Sequence, residues 1–319
     1  AVLGGGSWAT AIVKMLSENL NTVGWYMRSV YALEHIKINK HNPNYLSSAE
    51  LHPAQLDLSN DINDVVSNYD ILIFAIPSAF LTLELTKLTQ GLENKIIFSA
   101  IKGIVPESGL IVGEHFHEKY NIPFENIGVI TGPCHAEEVA MERLSYLTIA
   151  CQDEDKATQL GAMLKSRYIR TKISDDIIGT EYAAMLKNIF AIAAGISHGL
   201  GYGDNFQSVL MSNSIREMNR FIRKVHQMKR NINNSAYLGD LLVTGYSTFS
   251  RNRMFGNMIG KSAMFEMSMV AEGYYASESA YKIKEQNGTI TPIIDAVYAV
   301  LYQGKDAKTT FTKLTEHLD

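Results

Sequence analysis

The segment VLGGGSWATA, near the start of the chain, constrains the fold more than any other. Gly4, Gly6 and Ala9 have the spacing G-x-G-x-x-A, directly after an apolar strand and at the start of a helical pattern. The first glycine permits a tight turn, the second lets a pyrophosphate approach the backbone, and the small third residue lets helix and strand pack closely. N–H groups at a helix start attract phosphate. The segment therefore predicts a dinucleotide site, with a ligand-free glycine turn as the alternative.

Short apolar strands alternate with amphipathic helices through the first half of the chain. We expect strands at AVL, NTVGW, DILIFAI, KIIFSAI, NIGVITG and SYLTIAC. This alternation predicts a Rossmann-type, doubly wound parallel sheet. From about Gly179 the strand pattern ends, and segments rich in Ala, Met, Leu and Lys continue to the C-terminus. The chain is therefore predicted to form an α/β domain over residues 1–178 and an all-helical domain over residues 179–319.

Composition and charge exclude several classes of protein. The net charge of −4 gives no basic field for nucleic acid, and two cysteines, Cys134 and Cys151, are too few for a disulfide framework. The apolar run ILIFAI stops at Pro77, far short of a membrane span. The chain starts at Ala1, so we expect part of a first strand to precede it. A cytoplasmic enzyme, without nucleic acid or membrane span, is the expectation.

The end of the second strand normally distinguishes NAD from NADP. An acidic residue there binds the ribose 2′-hydroxyl, whereas an arginine accommodates a 2′-phosphate. The segment VGWYMRSVYALE has no carboxylate before Glu34 and has Arg28 and Ser29 at the relevant position. A guanidinium pairs well with phosphate, so NADPH is favoured over NADH. A solvated surface arginine is the alternative interpretation of Arg28.

Lys187 lies in YAAMLKNIFAIAAGI, a run that is otherwise almost wholly apolar or small. Such surroundings predict a buried helix, in which the pKa of an ammonium group falls. A desolvated lysine suits general acid/base catalysis, and a lysine that snorkels from a helix edge is the alternative. In the segment GDLLVT, Asp240 and Thr244 stand four residues apart, on one helix face, and are candidate partners that position Lys187.

Further polar residues stand at strand and helix ends. Ser250, Arg251 and Asn252 start a helix in SRNR, an arrangement that suits a phosphate monoester; a solvent-facing basic turn is the alternative. Lys102 leaves a strand in SAIKGI, where a catalytic and a merely solvated lysine are equally good interpretations. The glycines of GISHGLGYGDN are expected to let a small ligand approach.

Two histidine-containing patterns are predicted to be structural. Cys134 and His135 are adjacent at a helix start, where side chains rarely aim at each other, so packing is favoured over a nucleophile and base. His115 and His117 stand two residues apart, which places them on different sides of a helix. With no Cys or carboxylate set at ligand spacing, no metal site is predicted.

Eight segments, in order along the chain, resemble the bacterial-type NAD(P)-dependent glycerol-3-phosphate dehydrogenases: GGGSWATA, IPS, IKGI, TGPCHAEEVA, LKNIFAIAAGISHGLGYGDN, GDLLVT, SRNRMFG and VAEG. The resemblance covers essentially the whole chain. It implies reversible reduction of dihydroxyacetone phosphate to sn-glycerol 3-phosphate with NADPH or NADH, supplying glycerophospholipid synthesis. It leaves a homodimer open.

The resemblance also implies a role for each matching residue. Lys187 matches the catalytic acid/base, and Lys102 matches a catalytic lysine that touches substrate and cofactor. Substrate contacts are further implied for Gly132, Asn188, Asp240, Ser250, Arg251 and Asn252. Cofactor contacts beside the glycine turn are implied for Ser7, Trp8, Arg28, Lys102, Ala136, Arg251, Val270 and Glu272. The chain departs from the family at Cys134 and His135, where Thr or Ser followed by Phe is common.

Two other functions compete with this one. A related dehydrogenase acting on a hydroxyacid or a hydroxyacyl thioester would favour a carboxylate or CoA contact over the SRN phosphate pocket. A non-catalytic dinucleotide sensor would need none of Lys187, Asp240 and Arg251.

Overall fold

The structure, a computed structural model, describes residues 1–262 and 271–319. The chain divides into two units. The first, an α/β unit, comprises Ala1–Ile101 and Leu110–Ile177, and the second, a helical unit, comprises Lys102–Gly109 and Ile178–Asp319. The domain boundary between residues 178 and 179 stays a prediction. Unlike that prediction, the structure groups the short segment 102–109 with the helices.

The elements are numbered along the chain. The strands are β1 (Val2–Leu3), β2 (Val23–Tyr26), β3 (Leu56–Ser59), β4 (Ile71–Phe74), β5 (Ile96–Ser99), β6 (Ile104–Val105), β7 (Leu110–Ile111), β8 (Ile127–Thr131), β9 (Ser145–Cys151) and β10 (Ile169–Ser174). The helices are α1 (Ser7–Ser17), α2 (Val30–Asn39), α3 (Ile62–Asn68), α4 (Ser78–Leu85), α5 (Val112–Tyr120), α6 (Ala136–Ala140), α7 (Glu154–Leu164), α8 (Ile177–Gly199), α9 (Asp204–Val225), α10 (Asp240–Tyr246), α11 (Arg251–Gly260), α12 (Glu272–Asn287), α13 (Pro292–Tyr302) and α14 (Ala307–Thr315).

The α/β unit contains an eight-stranded sheet in the order β10-β9-β8-β5-β4-β1-β2-β3. Neighbouring strands are parallel except β8 and β9, which pair antiparallel. The predicted Rossmann-type fold is thus confirmed, with β9 and β10 reversed relative to the other strands. The strand order changes direction between β1 and β4, which is where ligands bind in open sheets of this kind.

The two edge strands of the sheet, β3 and β10, escaped the sequence analysis. LDLS alternates apolar with polar residues, IRTKIS has three consecutive polar residues, and both strands are only partly buried. Central strands such as β4 (ILIF) and β8 (IGVIT) are almost fully buried and read as continuous apolar runs. An edge strand has one partner and more contact with water, so it lacks that signal.

The long helix α8 is the core helix of the helical unit. Its length and mean hydropathy would allow it to cross a membrane, but 94% of its most apolar stretch is buried inside the protein. A helix that is apolar on all sides needs cover on all sides. The burial predicted for the segment around Lys187 is therefore confirmed, and its cover is protein.

Helices α8 and α11 pack backbone against backbone. A Cβ atom at Gly195 would lie 2.1 Å from the carbonyl oxygen of Arg253, and one at Gly256 would lie 2.1 Å from that of Ile192. Gly199 and Gly260, four residues further along each helix, are equally close to the facing helix. Real side chains do not tolerate such distances, so glycine is required on both helices. Two of the glycines in GISHGLGYGDN, Gly195 and Gly199, thus allow α11 to pack closely against α8.

Candidate active site

The glycine turn after β1 has the geometry of a phosphate cradle. Gly4 has a φ of +133°, and a Cβ there would lie 2.4 Å from the carbonyl oxygen of Ala75, at the end of β4. Only glycine fits that position. Gly6 precedes α1 and offers no side chain to cap the first N–H groups of the helix, while the space where its Cβ would lie is open. Open space beside Gly6 and uncapped N–H groups of α1 thus lie together at the position in the sheet where dinucleotides bind.

Arg28, just beyond β2, is anchored by a carboxylate that the sequence analysis missed. Its side chain is 61% exposed, and Nη1 lies 3.4 Å from Oε1 of Glu84, whose side chain is 2% exposed. The same carboxylate accepts hydrogen bonds from the Tyr26 hydroxyl at 2.7 Å and from Lys87 Nζ at 2.9 Å. Burial, and then Glu84, raise the pKa of Tyr26. Arg28 is thus a largely exposed side chain that also pairs with a buried carboxylate, and its contact with a cofactor stays a prediction.

The other sequence-predicted residues of the α/β unit lie near strand ends. Ser7 begins α1, Trp8 and Ala9 follow it, and Ala9 is fully buried. Gly132 follows β8 with a φ of +109°, and Ala136 begins α6. The carboxyl ends of parallel strands share one edge of a sheet, so β1 and β8 bring these two groups to the same edge. Their contacts with a cofactor or substrate stay predictions.

Lys187 lies in the helical unit beside a buried carboxylate. The lysine is 4% exposed and Asp240 is 1% exposed. Nζ of Lys187 lies 2.5 Å from Oδ1 of Asp240, and Nζ of Lys102 lies 3.9 Å from Oδ2. Asp240 is the first residue of α10 and directly follows a π-helical turn, Ser235–Gly239. Such turns are frequent at functional sites. The structure thus brings together the three charged side chains predicted for catalysis.

The environment of Lys187 tunes its proton affinity. The pKa of Lys187 is lowered from 10.5 to about 7. Burial lowers it most, Asp240 opposes this by raising it, and Lys102 lowers it further. A pKa near neutrality lets one group both donate and accept a proton. Oδ2 of Asp240 is buried and accepts no hydrogen bond from the described residues.

Asn188 and Thr244 support this cluster through backbone atoms. Nδ2 of Asn188 donates to the carbonyl oxygen of Lys102 at 2.7 Å and so fixes the backbone that carries that lysine. The hydroxyl of Thr244 donates to the carbonyl oxygen of Asp240 at 2.6 Å, one helical turn earlier. Thr244 thus supports the backbone that carries Asp240. A direct role in positioning the lysine stays a prediction.

The SRN segment forms the start of α11. Ser250 caps the helix, its hydroxyl accepting the N–H of Arg253 at 3.3 Å, and the side chain of Arg251 is exposed. Oδ1 of Asn252 accepts the N–H of Gly273 at 2.9 Å. A guanidinium, an amide and a helix start are thus presented together, a combination that suits phosphate.

A short chain of contacts joins the SRN segment to the lysine helix. Gly273, which is bound by Asn252, follows Glu272, the first residue of α12. A Cβ at Gly273 would lie 2.7 Å from the carbonyl oxygen of Asn188, next to Lys187. The start of α12 therefore contacts both α11 and α8. Val270, predicted to contact cofactor, lies outside the described residues.

The two cysteines lie in the protein interior. Cys134 is 5% exposed and packs in the hydrophobic core of the α/β unit, as the sequence analysis predicted for it. Cys134 and Cys151 are free, buried thiols. Over residues 1–262 and 271–319, no three His, Cys, Asp or Glu side chains are grouped as metal ligands.

Comparison with known proteins identifies the family. The family described as NAD-dependent glycerol-3-phosphate dehydrogenase N-terminus matches residues 1–157, and the corresponding C-terminus family matches residues 176–312. The chain belongs to the NAD-dependent glycerol-3-phosphate dehydrogenase family. The resemblance inferred from the eight segments is therefore confirmed. So are the predicted enzyme class, an oxidoreductase, and its cofactor type, NADH or NADPH.

Individual relatives cover nearly the whole chain. A glycerol-3-phosphate dehydrogenase [NAD(P)+] of Corynebacterium jeikeium is 34% identical over 316 residues, which are 97% of this chain and 95% of that protein. One of an Exiguobacterium species is 35% identical, covering 98% and 94%. Among solved structures, a glycerol-3-phosphate dehydrogenase of Coxiella burnetii has a TM-score of 0.89 at 24% identity, covering 99% of this chain and 98% of that chain. This last likeness concerns the fold alone.

Proposed function

We propose that the chain catalyses reversible NAD(P)H-dependent reduction of dihydroxyacetone phosphate to sn-glycerol 3-phosphate, with Lys187 as general acid/base. The observation that carries the proposal is the buried pair of Lys187 and Asp240, 2.5 Å apart, in a member of this family. A lysine with a pKa near 7 is matched to proton transfer at neutral pH. The shared family supports the substrate.

The α/β unit would hold the cofactor. Gly4, Gly6 and the start of α1 fit the pyrophosphate. The turn needs glycine at Gly4, because a side chain there would collide with Ala75. No side chain caps α1, so its first N–H groups can donate to phosphate. Arg28 fits a 2′-phosphate and so favours NADPH over NADH. When bound, the reduced nicotinamide supplies a hydride equivalent to the carbonyl carbon.

Lys187 supplies the proton. As the carbonyl carbon is reduced, negative charge develops on the carbonyl oxygen, and the N–H of the Lys187 ammonium transfers its proton to that oxygen. In the reverse direction the neutral amine accepts the proton of the alcohol. Asp240 holds the ammonium in place, and the second cation, Lys102, adds positive charge 3.9 Å from the same carboxylate. Charge of this sign stabilises a developing alkoxide.

The SRN segment would anchor the substrate phosphate. The guanidinium of Arg251, Nδ2 of Asn252 and the first N–H groups of α11 are its proposed donors. Fixing the phosphate orients the carbonyl for reaction, because a bound, aligned group reacts far faster than a free one.

The biological setting is a further part of the proposal. The product is the phosphorylated backbone of glycerophospholipids, so we place the enzyme upstream of phospholipid synthesis. Two free thiols, Cys134 and Cys151, support a reducing, cytoplasmic compartment. A homodimer stays a prediction.

The test compares Lys187→Ala with Lys282→Ala, a control at a 66% exposed lysine of the same unit. We expect turnover of dihydroxyacetone phosphate with NADPH to fall about 10²–10⁴-fold in the first variant and to be unchanged in the second. Thermal unfolding checks that both variants are folded. Near-normal turnover of folded Lys187→Ala would refute the assignment of the acid/base. Faster turnover of a ketoacid by the intact enzyme would refute the assignment of the substrate.

A further inference from the structure

A basic cleft lies in the helical unit, between the last turns of α9, the segment that follows it and the loop after α12. Its volume is about 1020 Å³. Of the eleven residues that line it, none is Asp or Glu and five are cationic, namely Arg220, Arg223, Lys224, Lys229 and Arg230. The whole chain has a net charge of −4. Positive charge is therefore concentrated here against the overall balance, which makes the cleft an attractor for anions.

The end of a helix explains only part of this cluster. Cations in the last turn interact favourably with the unpaired carbonyl groups of a helix, and that accounts for Arg223 and Lys224. Arg220 lies one turn earlier in α9, and Lys229 and Arg230 lie beyond the helix end. Three of the five cations thus require another reason to face one cavity.

Two guanidinium groups are held by neutral acceptors. Nε of Arg220 donates to the carbonyl oxygen of Ile290 at 3.3 Å, and Nη1 of Arg230 donates to that of His226 at 3.1 Å. These bonds restrict the orientation of the two side chains. The acidic side chain nearest to Arg220 in sequence, Glu217, is fully buried and accepts two N–H groups of α13, and the charge of Arg220 lowers its pKa against the larger raising effect of burial.

We propose that this cleft binds a ligand that carries two or more phosphate groups. The volume matches sites for ligands of nucleotide size, about 300–1,000 Å³, and five cations exceed what one phosphate monoester contacts. Oriented guanidinium groups are the side chains best suited to phosphate. The same chemistry is offered by a soluble polyphosphate and by the headgroups of anionic lipids. The cleft shares no residue with the Lys187 cluster, so it lies beyond the proposed dehydrogenase function.

The test removes three exposed cations that have no role in the proposed reaction. The full chain carrying Arg223→Gln, Lys224→Gln and Lys229→Gln is compared with the unsubstituted chain. Inorganic tripolyphosphate is titrated by calorimetry in saturating NADP⁺ and sn-glycerol 3-phosphate, so that the proposed cofactor and substrate sites are filled. Sedimentation with vesicles of phosphatidylglycerol, and separately of phosphatidylcholine, tests the lipid source.

The control is a second triple variant with the same loss of charge. Lys305→Gln, Lys308→Gln and Lys313→Gln change exposed residues of the same unit, outside the cleft. Thermal unfolding and dehydrogenase turnover check both triple variants for folding.

We expect the affinity for tripolyphosphate to fall about tenfold or more in the cleft variant and less than about twofold in the control. Binding to phosphatidylglycerol vesicles that only the cleft variant loses, without binding of tripolyphosphate, would support the proposal with a lipid headgroup as the source. Equal losses in both variants, or no binding of either probe by the unsubstituted chain, would overturn it.

Discussion

Replacing Asp240 with asparagine should remove the protonated form of Lys187 at neutral pH. Asparagine keeps the shape of the side chain but deletes a negative charge 2.5 Å from the ammonium. Burial and Lys102 lower the pKa of Lys187, whereas Asp240 raises it. The variant keeps the two lowering influences and loses the raising one, so the pKa of Lys187 should fall below about 7.

The size of the effect follows from the distance. Two unit charges 2.5 Å apart interact by about 7 kcal/mol at an effective dielectric constant of about 20. Even a third of that energy lowers the pKa by about 1.5 units, at about 1.4 kcal/mol per unit. The protonated fraction of Lys187 at neutral pH would then fall. In the proposed mechanism, reduction of the ketone needs that protonated form.

The assay is the pH profile of turnover for dihydroxyacetone phosphate reduction. In Asp240→Asn the alkaline limb of the profile should move to lower pH by at least about one unit. Asp70→Asn, at a side chain that is 93% exposed, is the charge-matched control and should leave the profile in place. If folded Asp240→Asn gave the same profile and turnover as the unsubstituted enzyme, the coupling between carboxylate and lysine would be disproved.

Three further predictions concern the cofactor, helix packing and stability. Arg28→Ala should raise the KM for NADPH several-fold more than the KM for NADH. Glu84→Gln removes a carboxylate 3.4 Å from Arg28 that competes with the cofactor for its guanidinium, and it should lower the KM for NADPH. Equal shifts with both cofactors would contradict this. Gly195→Ala should destabilise the helical unit by about 3 kcal/mol, because its Cβ would collide with the backbone of α11. Gly203→Ala, where a Cβ meets nothing within 4 Å, is the control. Thermal unfolding measures both variants. Burial raises the pKa of Glu217 from 4.5 to about 8, so the folded chain keeps a proton that the unfolded chain releases. Stability should therefore fall as the pH rises from about 5 to about 8, and Glu217→Gln should flatten that dependence in unfolding curves.

The features that the sequence predicted well are those with a local physical cause. The glycine turn was recognisable because its glycines follow a strand and precede a helix at fixed spacing, and Gly4 has a φ of +133°, which other residue types rarely adopt. The burial of Lys187 was recognisable because small apolar residues surround it on every side of one helix. Both signals lie within a dozen residues of the feature that they predict.

The features that the sequence analysis missed depend on contacts between residues far apart along the chain. Glu84 meets Tyr26 across 58 residues, and Arg220 meets Ile290 across 70, so neither pattern is visible in one segment. Thr244 shows a different limit. Spacing placed it on the same helix face as Asp240, but a threonine in a helix can bond the carbonyl one turn earlier, and that competing bond is the one observed.

The backbone contact between α8 and α11 has a consequence for the proposed mechanism. One helix carries the proposed proton donor and the other begins with the proposed phosphate anchor, and glycines at Gly195 and Gly256 let the two helices touch without intervening side chains. A Cβ atom at either glycine would lie 2.1 Å from a carbonyl oxygen of the facing helix, so the two helices would have to move apart to accommodate it. In the proposed mechanism, the distance between the substrate phosphate and the reactive carbonyl would thus depend on an interface between two helix backbones as well as on the residues that bind the substrate.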